Sequence, residues 1–231
     1  MKVESYGDHA AQPIVFLHGA GYVDCFSAQY ALATQHQLLV PHLMGYGAEE
    51  GRVFEAQACL AELDDWLEGL GTPVVLVGFS LGAQLAFALT CAHPEYFHAS
   101  VFISPWLIKE EPQLSHVERR NLKYLRAHRP KAPAHWSKAE ARAWRERQEL
   151  TMHQSIYNGI SIAETPSFAD CTVPMLALAG EKDFPIMHDS IAQLAALNPH
   201  CHSEIWQGAA HNIPTAFADR LNPLLASLWK N

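Results

Sequence analysis

From Gly69 to Pro94 the chain carries no Asp, Glu, Lys or Arg. A charge-free stretch of this length could span a bilayer, yet its pattern changes at Gly78. Before that glycine, Pro73 to Val77 is an almost wholly apolar run, as expected of a strand covered on both faces. After it, Leu81 to Ala92 reads as a helix stopped before Pro94. The stretch is therefore expected to be a strand, a tight turn and a helix inside a folded core.

The same alternation runs along most of the chain. Strands are expected at Pro13 to His18, Gln37 to Val40, Ala99 to Ile103, Val173 to Ala179 and His202 to Trp206. Helices are expected at Asp24 to Thr34, Phe54 to Leu70, Met187 to Leu197 and Ile213 to Trp229. Strands alternating with helices imply an α/β fold, a mostly parallel central sheet with helices on both faces. Met1 to Tyr6 could add only a short strand before Pro13. One segment breaks the alternation: residues 105–169 hold two long helical patterns and no strand. Ser137-Lys138-Ala139-Glu140 is a capping box that starts the second of them. Residues 105–169 read as a helical lid inserted into a core formed by 1–104 and 170–231.

The turn itself reads Gly78-Phe79-Ser80-Leu81-Gly82. Gly-x-Ser-x-Gly is a weak pattern alone, but between a strand and a helix it is the setting of a nucleophile elbow. There the serine backbone is strained and flanking side chains would collide.

At this point the sequence resembles the α/β-hydrolase superfamily, over essentially its whole length. Leu17-His18-Gly19-Ala20-Gly21 matches the oxyanion loop after an early strand. Gly180-Glu181-Lys182-Asp183 follows the strand where that family places its acid, and Gly208-Ala209-Ala210-His211 follows the last strand, where it places its histidine. The order Ser, Asp, His is the family order. The resemblance implies a triad of Ser80, Asp183 and His211, with oxyanion donors on the backbone of Ala20 and Leu81. Glu181 and Asp189 compete with Asp183 for the acid role. His18 is expected to tie down the oxyanion loop. The end of the fourth strand, Ser104-Pro105-Trp106, offers no carboxylate for the alternative acid position. A serine nucleophile sets the chain apart from the dehalogenase and epoxide-hydrolase branches, which use aspartate. In the loop after the second strand, the family's Asp-x-x-Gly-x-Gly reads His42-Leu43-Met44-Gly45-Tyr46-Gly47, so His42 stands where an aspartate is usual.

Composition bounds the substrate and the setting. The formal net charge is −8, which argues against wholesale nucleic-acid binding. The segment from Pro105 to Thr165 nevertheless carries 11 Lys and Arg against 7 Asp and Glu. Gly21, Phe79, Trp106 and Met152 are candidate substrate-pocket residues, and an apolar pocket suits an acyl group. The expected substrate is a small carboxylic ester or thioester. The basic insertion adds an anionic or carrier-linked acyl group as a second class. The resemblance also leaves open lyase, C–C hydrolase and acyl-transfer chemistry, and a non-catalytic receptor. No metal site and no cofactor are expected, since no histidine pair has ligand spacing beside a carboxylate cluster. Five scattered cysteines and a start without an apolar leader segment give a cytoplasmic chain with free thiols as the expectation.

Overall fold

The computed structural model describes residues 1–229. In chain order the strands are β1 (Val3–Tyr6), β2 (Pro13–Leu17), β3 (Gln37–Pro41), β4 (Val74–Phe79), β5 (Phe97–Ile103), β6 (Met175–Gly180) and β7 (Cys201–Trp206). The helices are α1 (Ala56–Glu68), α2 (Leu81–Ala92), α3 (Gln113–His128), α4 (Lys138–Ile156), α5 (Pro185–Leu197), α6 (Ile213–Ala216) and α7 (Ala218–Ser227). The strands form one sheet in the order β1-β3-β2-β4-β5-β6-β7. Only β1 is antiparallel, pairing Val3 with Pro41 through Tyr6 with Leu38.

The chain reverses its direction of travel across the sheet between β3 and β4. That makes β2 and β4 neighbours, with Leu17 opposite Gly78 at their carboxyl ends. Such a switch point opens a crevice at the carboxyl edge.

Two cores lie on the two faces of the sheet. Val15, Leu17, Val74 and Leu76 pack with α1, α2 and α5 on one face. Ile14, Phe16, Val75 and Val77 pack with the C-terminal helices and with Cys25, Phe26 and Leu32 on the other. Both halves of the period-2 alternation are thus buried, which is why these strands are continuous apolar runs. The α2 helix packs on β2, β4 and β5 and is buried almost throughout, which explains its lack of charge.

Two expected helices differ. Val23–Thr34 is a 3-10 helix, and three of its four buried positions, Phe26, Gln29 and Leu32, recur every three residues and match that period. The C-terminal helix breaks at Phe217 (φ −123°, ψ 31°), giving α6 and α7. The break lets Phe217 pack on the second core near Trp206, at a ring distance of 6.2 Å.

The segment between β5 and β6 is helical, as α3 and α4. The Ser137–Glu140 capping box forms at the start of α4 with both reciprocal hydrogen bonds. The far end of α4 is anchored on the loop after β3. Tyr46 Oη and Ser155 Oγ lie 2.8 Å apart, and the Phe54 amide donates to Thr151 Oγ1. The two helices are joined by Arg126 and Arg129, both donating to Glu149. No helix among the described residues is long and apolar enough to cross a membrane.

Candidate active site

Ser80 lies where β4 turns directly into α2. Its backbone is left-handed, φ 53° and ψ −110°, and its amide donates to the Ile103 carbonyl at 2.9 Å. A non-glycine residue held there costs of order 1–3 kcal/mol and needs rigid surroundings. Glycines supply the close approach. A Cβ on Gly78 would lie 2.3 Å from the Gly82 oxygen, and one on Gly82 would lie 1.9 Å from the Leu17 oxygen. Helix α2 therefore starts against bare backbone, and Ser80 is left half-buried at the carboxyl edge.

The loop after β2 lies against this turn. A Cβ on Gly19 would be 2.9 Å from the Phe79 ring and 3.5 Å from Ser80 Cβ. The fully buried His18 fixes that loop. Its Nδ1 donates to the Gly19 carbonyl at 2.8 Å, and its Nε2 accepts from the Leu43 amide at 3.0 Å. An Nε2 that accepts carries no proton, so this ring is neutral. Burial pushes its pKa down to about 4, against the opposing bond to Gly19. His42, in the usual aspartate position, also acts as an acceptor. Its Nδ1 takes the Ala48 amide at 2.9 Å, while Nε2 lies 3.2 Å from Glu4 of β1. The loop support is kept with a different side chain. The amides of Ala20 and Leu81 donate to no other group among the described residues.

Asp183 follows β6 and His211 follows β7. His211 Nδ1 and Asp183 Oδ1 are 2.7 Å apart. Oδ2 of Asp183 accepts from the Ser104 hydroxyl at 2.5 Å and the Gly180 amide at 3.1 Å. Burial alone would raise the Asp183 carboxyl; the hydrogen bond and charge of His211, with the Ser104 and Gly180 donors, outweigh it and hold it below the ordinary value. The two loops are locked together: the Lys182 amide donates to the Ala209 carbonyl, and Gly180 has no room for a Cβ beside Ala209. Of the competing carboxylates, Glu181 accepts from the Gly208 amide instead, and Asp189 is exposed on α5. The imidazole of His211 is 39% exposed and its ring centroid is 4.9 Å from that of Phe79. The Ser80 hydroxyl makes no hydrogen bond to it; catalytic hydrogen bonds often tighten only around substrate.

The four expected pocket residues separate. Met152 Cε of α4 is 3.8 Å from where a Cβ of Gly21 would stand, so these two face each other at the loop after β2. Phe79 is buried beneath His211 and Gly19 and forms a floor. Trp106 is buried in the core, with its indole N–H donating to the Ile108 carbonyl. Arg120 of α3 stacks over Phe184, the residue after Asp183, at 4.7 Å. Sequence reasoning missed both Arg120 and the Ser104 hydroxyl. The signal for Ser104 was its position at the end of β5, where a carboxylate was sought and a hydroxyl stands.

All five cysteines are free and buried. Burial raises their thiols, Cys59 to about 11 and Cys25 to about 12, so none is a ready nucleophile. No group of three or more His, Cys, Asp or Glu among the described residues could hold a metal ion.

The alpha/beta hydrolase family profile matches residues 14–224, and the chain belongs to that family. No curated protein matches the sequence. Similar solved structures include a thermophilic esterase from Thermogutta terrifontis, at 18% identity and a TM-score of 0.74, covering 99% of this chain and 92% of that one. MenH from S. aureus is 18% identical with a TM-score of 0.75, covering 99% and 97%. A meta-cleavage product hydrolase from Pseudomonas fluorescens IP01 is 16% identical with a TM-score of 0.74, covering 99% and 93%.

Proposed function

We propose that the protein is a serine hydrolase that cleaves a carboxylic ester or thioester through an acyl-enzyme. The observation that carries this reading is the 2.7 Å contact between His211 Nδ1 and a fully buried Asp183, beside a strained serine at the head of a buried helix. A serine hydroxyl is a poor nucleophile without an adjacent base. His211 Nε2 takes the proton of Ser80 as its oxygen attacks the acyl carbon. Asp183 holds the tautomer that leaves Nε2 free and stabilises the imidazolium. The amides of Ala20 and Leu81 receive the oxyanion. The imidazolium then protonates the departing alkoxide or thiolate. Water, deprotonated by His211, releases the acid and frees Ser80.

Residues 105–169 act as a lid in this reading. Met152 and Gly21 bound the acyl site, Phe79 supports its floor, and Trp106 belongs to the packing under the lid. A second reading, C–C cleavage, lyase or acyl-transfer chemistry on an anionic substrate, draws on Arg120, whose guanidinium sits over the residue next to Asp183. Product analysis in excess water separates the two.

The test is turnover of p-nitrophenyl esters of increasing acyl length by the wild type and Ser80→Ala. The wild type is expected to turn over, and the variant to lose roughly a millionfold in kcat, the loss seen for such a serine in subtilisin. No turnover and no labelling by a fluorophosphonate would overturn the reading in favour of a non-catalytic receptor.

A further inference from the structure

A cavity of about 780 Å³ opens between segments 107–110 and 159–164, with Gln193 of α5 in its wall. None of Ser80, Asp183 and His211 lines it. Lys109 does, and the surroundings of its ammonium are unusual. Nζ donates to Gln84 Oε1 at 2.5 Å and lies 4.9 Å from the centre of the Trp106 ring. Gln84 is buried on the first turn of α2, and its oxygen is shared with the Asn158 amide at 2.8 Å. The ammonium thus has an amide oxygen and an indole face for company, and no carboxylate among the described residues within ion-pair distance. Glu110 and Glu164 also line the cavity, but both are exposed and neither pairs with Lys109. A half-buried lysine without a counter-charge is uncommon, because buried charges are normally paired.

We propose that this cavity is a second ligand site, separate from the Ser80 site, and that it takes a small organic carboxylate whose charge pairs with Lys109. The volume is that of a small-molecule site. Leu107 and Ile162 line the same cavity as Lys109, so a carboxylate on an apolar body matches it better than a bare inorganic anion.

The proposal has a pH signature. Burial lowers the Lys109 amine to about 7, and no neighbouring charge contributes. The groups around Nζ from α2, from residues 106–108 and from the 158–164 segment are Gln84, Trp106 and Asn158, which do not titrate. Glu110 and Glu164 are the acidic groups of the lining, and neither pairs with Nζ. If a bound carboxylate requires the ammonium, affinity falls about 100-fold between pH 6 and pH 9, following the protonated fraction.

Trace acetylation of the whole protein with acetic anhydride, read per lysine by mass spectrometry across pH, tests it with benzoate and succinate as probes. The amine of Lys109 attacks the anhydride, an amide forms, and acetate and a proton leave. Without probe, Lys109 is expected to reach half-maximal reactivity near pH 7, well below the exposed lysines. With 10 mM benzoate or succinate, that midpoint should rise by at least one unit. Calorimetric binding should survive in Ser80→Ala and Lys109→Arg and vanish in Lys109→Met. A midpoint unmoved by either probe overturns the proposal. So does binding that is lost in Ser80→Ala or abolished by a Ser80-directed fluorophosphonate, since the carboxylate would then occupy the hydrolytic site. The labelling experiment needs only the wild type, so it decides the matter even if Lys109→Met does not fold.

Discussion

The Ser104 hydroxyl donates at 2.5 Å to the oxygen of Asp183 that His211 leaves free. Ser104 is held in a left-handed conformation, φ 50°, at the end of β5, one strand over from Ser80 at the end of β4. Two strained serines thus stand side by side at the carboxyl edge. In the proposed mechanism one carries the reactive hydroxyl and the other positions the acid.

Removing that hydroxyl should raise the Asp183 carboxyl. A hydrogen bond to a charged group contributes about 1.5–3 kcal/mol, so Ser104→Ala is expected to lower kcat/KM about tenfold at pH 7, equivalent to about 1.4 kcal/mol. The acid limb of the pH profile should move upward. Ser104→Gly should lose the same activity while tolerating the positive φ better, so it should be the more stable of the two. Because Asp183 lies below its ordinary value of 3.8 when folded, its contribution to stability is complete above that pH and is lost as pH falls below it. A pH–rate profile unchanged in both variants would refute a positioning role.

The elbow makes a sharper structural prediction. The Gly82→Ala methyl would stand 1.9 Å from the Leu17 carbonyl oxygen, a backbone atom in the sheet that cannot yield alone. We expect a loss of more than about 3 kcal/mol, at the upper end for overpacking, and a fall in Tm of at least about 6 °C. Gly51→Ala, with nothing within 4 Å, should stay within about 0.5 kcal/mol of the wild type. Thermal denaturation of the pair checks both.

His18 gives a pH dependence of opposite chemistry to a carboxylate and the same sign. Its folded pKa of about 4 lies below the ordinary 6.5, so the unfolded chain binds the extra proton between those values. Stability from this group is complete above pH 6.5 and drains away as pH falls towards 4, by on the order of 3 kcal/mol. His18→Gln keeps a donor and an acceptor but cannot titrate. Urea midpoints of wild type and variant should therefore converge between pH 7 and pH 4.5. Parallel curves would show that His18 is protonated without cost.

Met152 is expected to set the length of the acyl group. It faces Gly21 over the loop after β2 from a helix anchored through Ser155 and Thr151. Met152→Ala should shift the preferred p-nitrophenyl ester to a longer acyl chain, through KM more than kcat. Gly21→Leu should shift it to a shorter one, at a cost in stability because Gly21 is held at φ 69°. An unchanged chain-length profile in both places the acyl site elsewhere.

The sequence alone determined the alternation of apolar strands and helices, the turn at Gly78–Gly82 and the order of Ser80, Asp183 and His211. These are local facts: burial on both faces makes strands continuously apolar, and a sharp turn restricts its residues to small ones. Tertiary structure decided the rest. Its place in the loop after β6 already favours Asp183 in the sequence, and the fold adds that Asp183 reaches His211 while Glu181 reaches Gly208. The roles of Ser104 and His42 rest on hydrogen bonds between residues 79 and 6 positions apart; His18 is expected from the sequence to tie down its loop, and the fold supplies the partner, Leu43, 25 positions on. Phe79 and Trp106 are pocket candidates because they flank the nucleophile or lie on the inserted segment; the fold packs Phe79 against His211 and buries Trp106, and apolar side chains next to a site serve alike as lining, floor or core. Lys109 read as one cation among many in a basic segment, and only the fold set it beside Gln84 without a counter-charge.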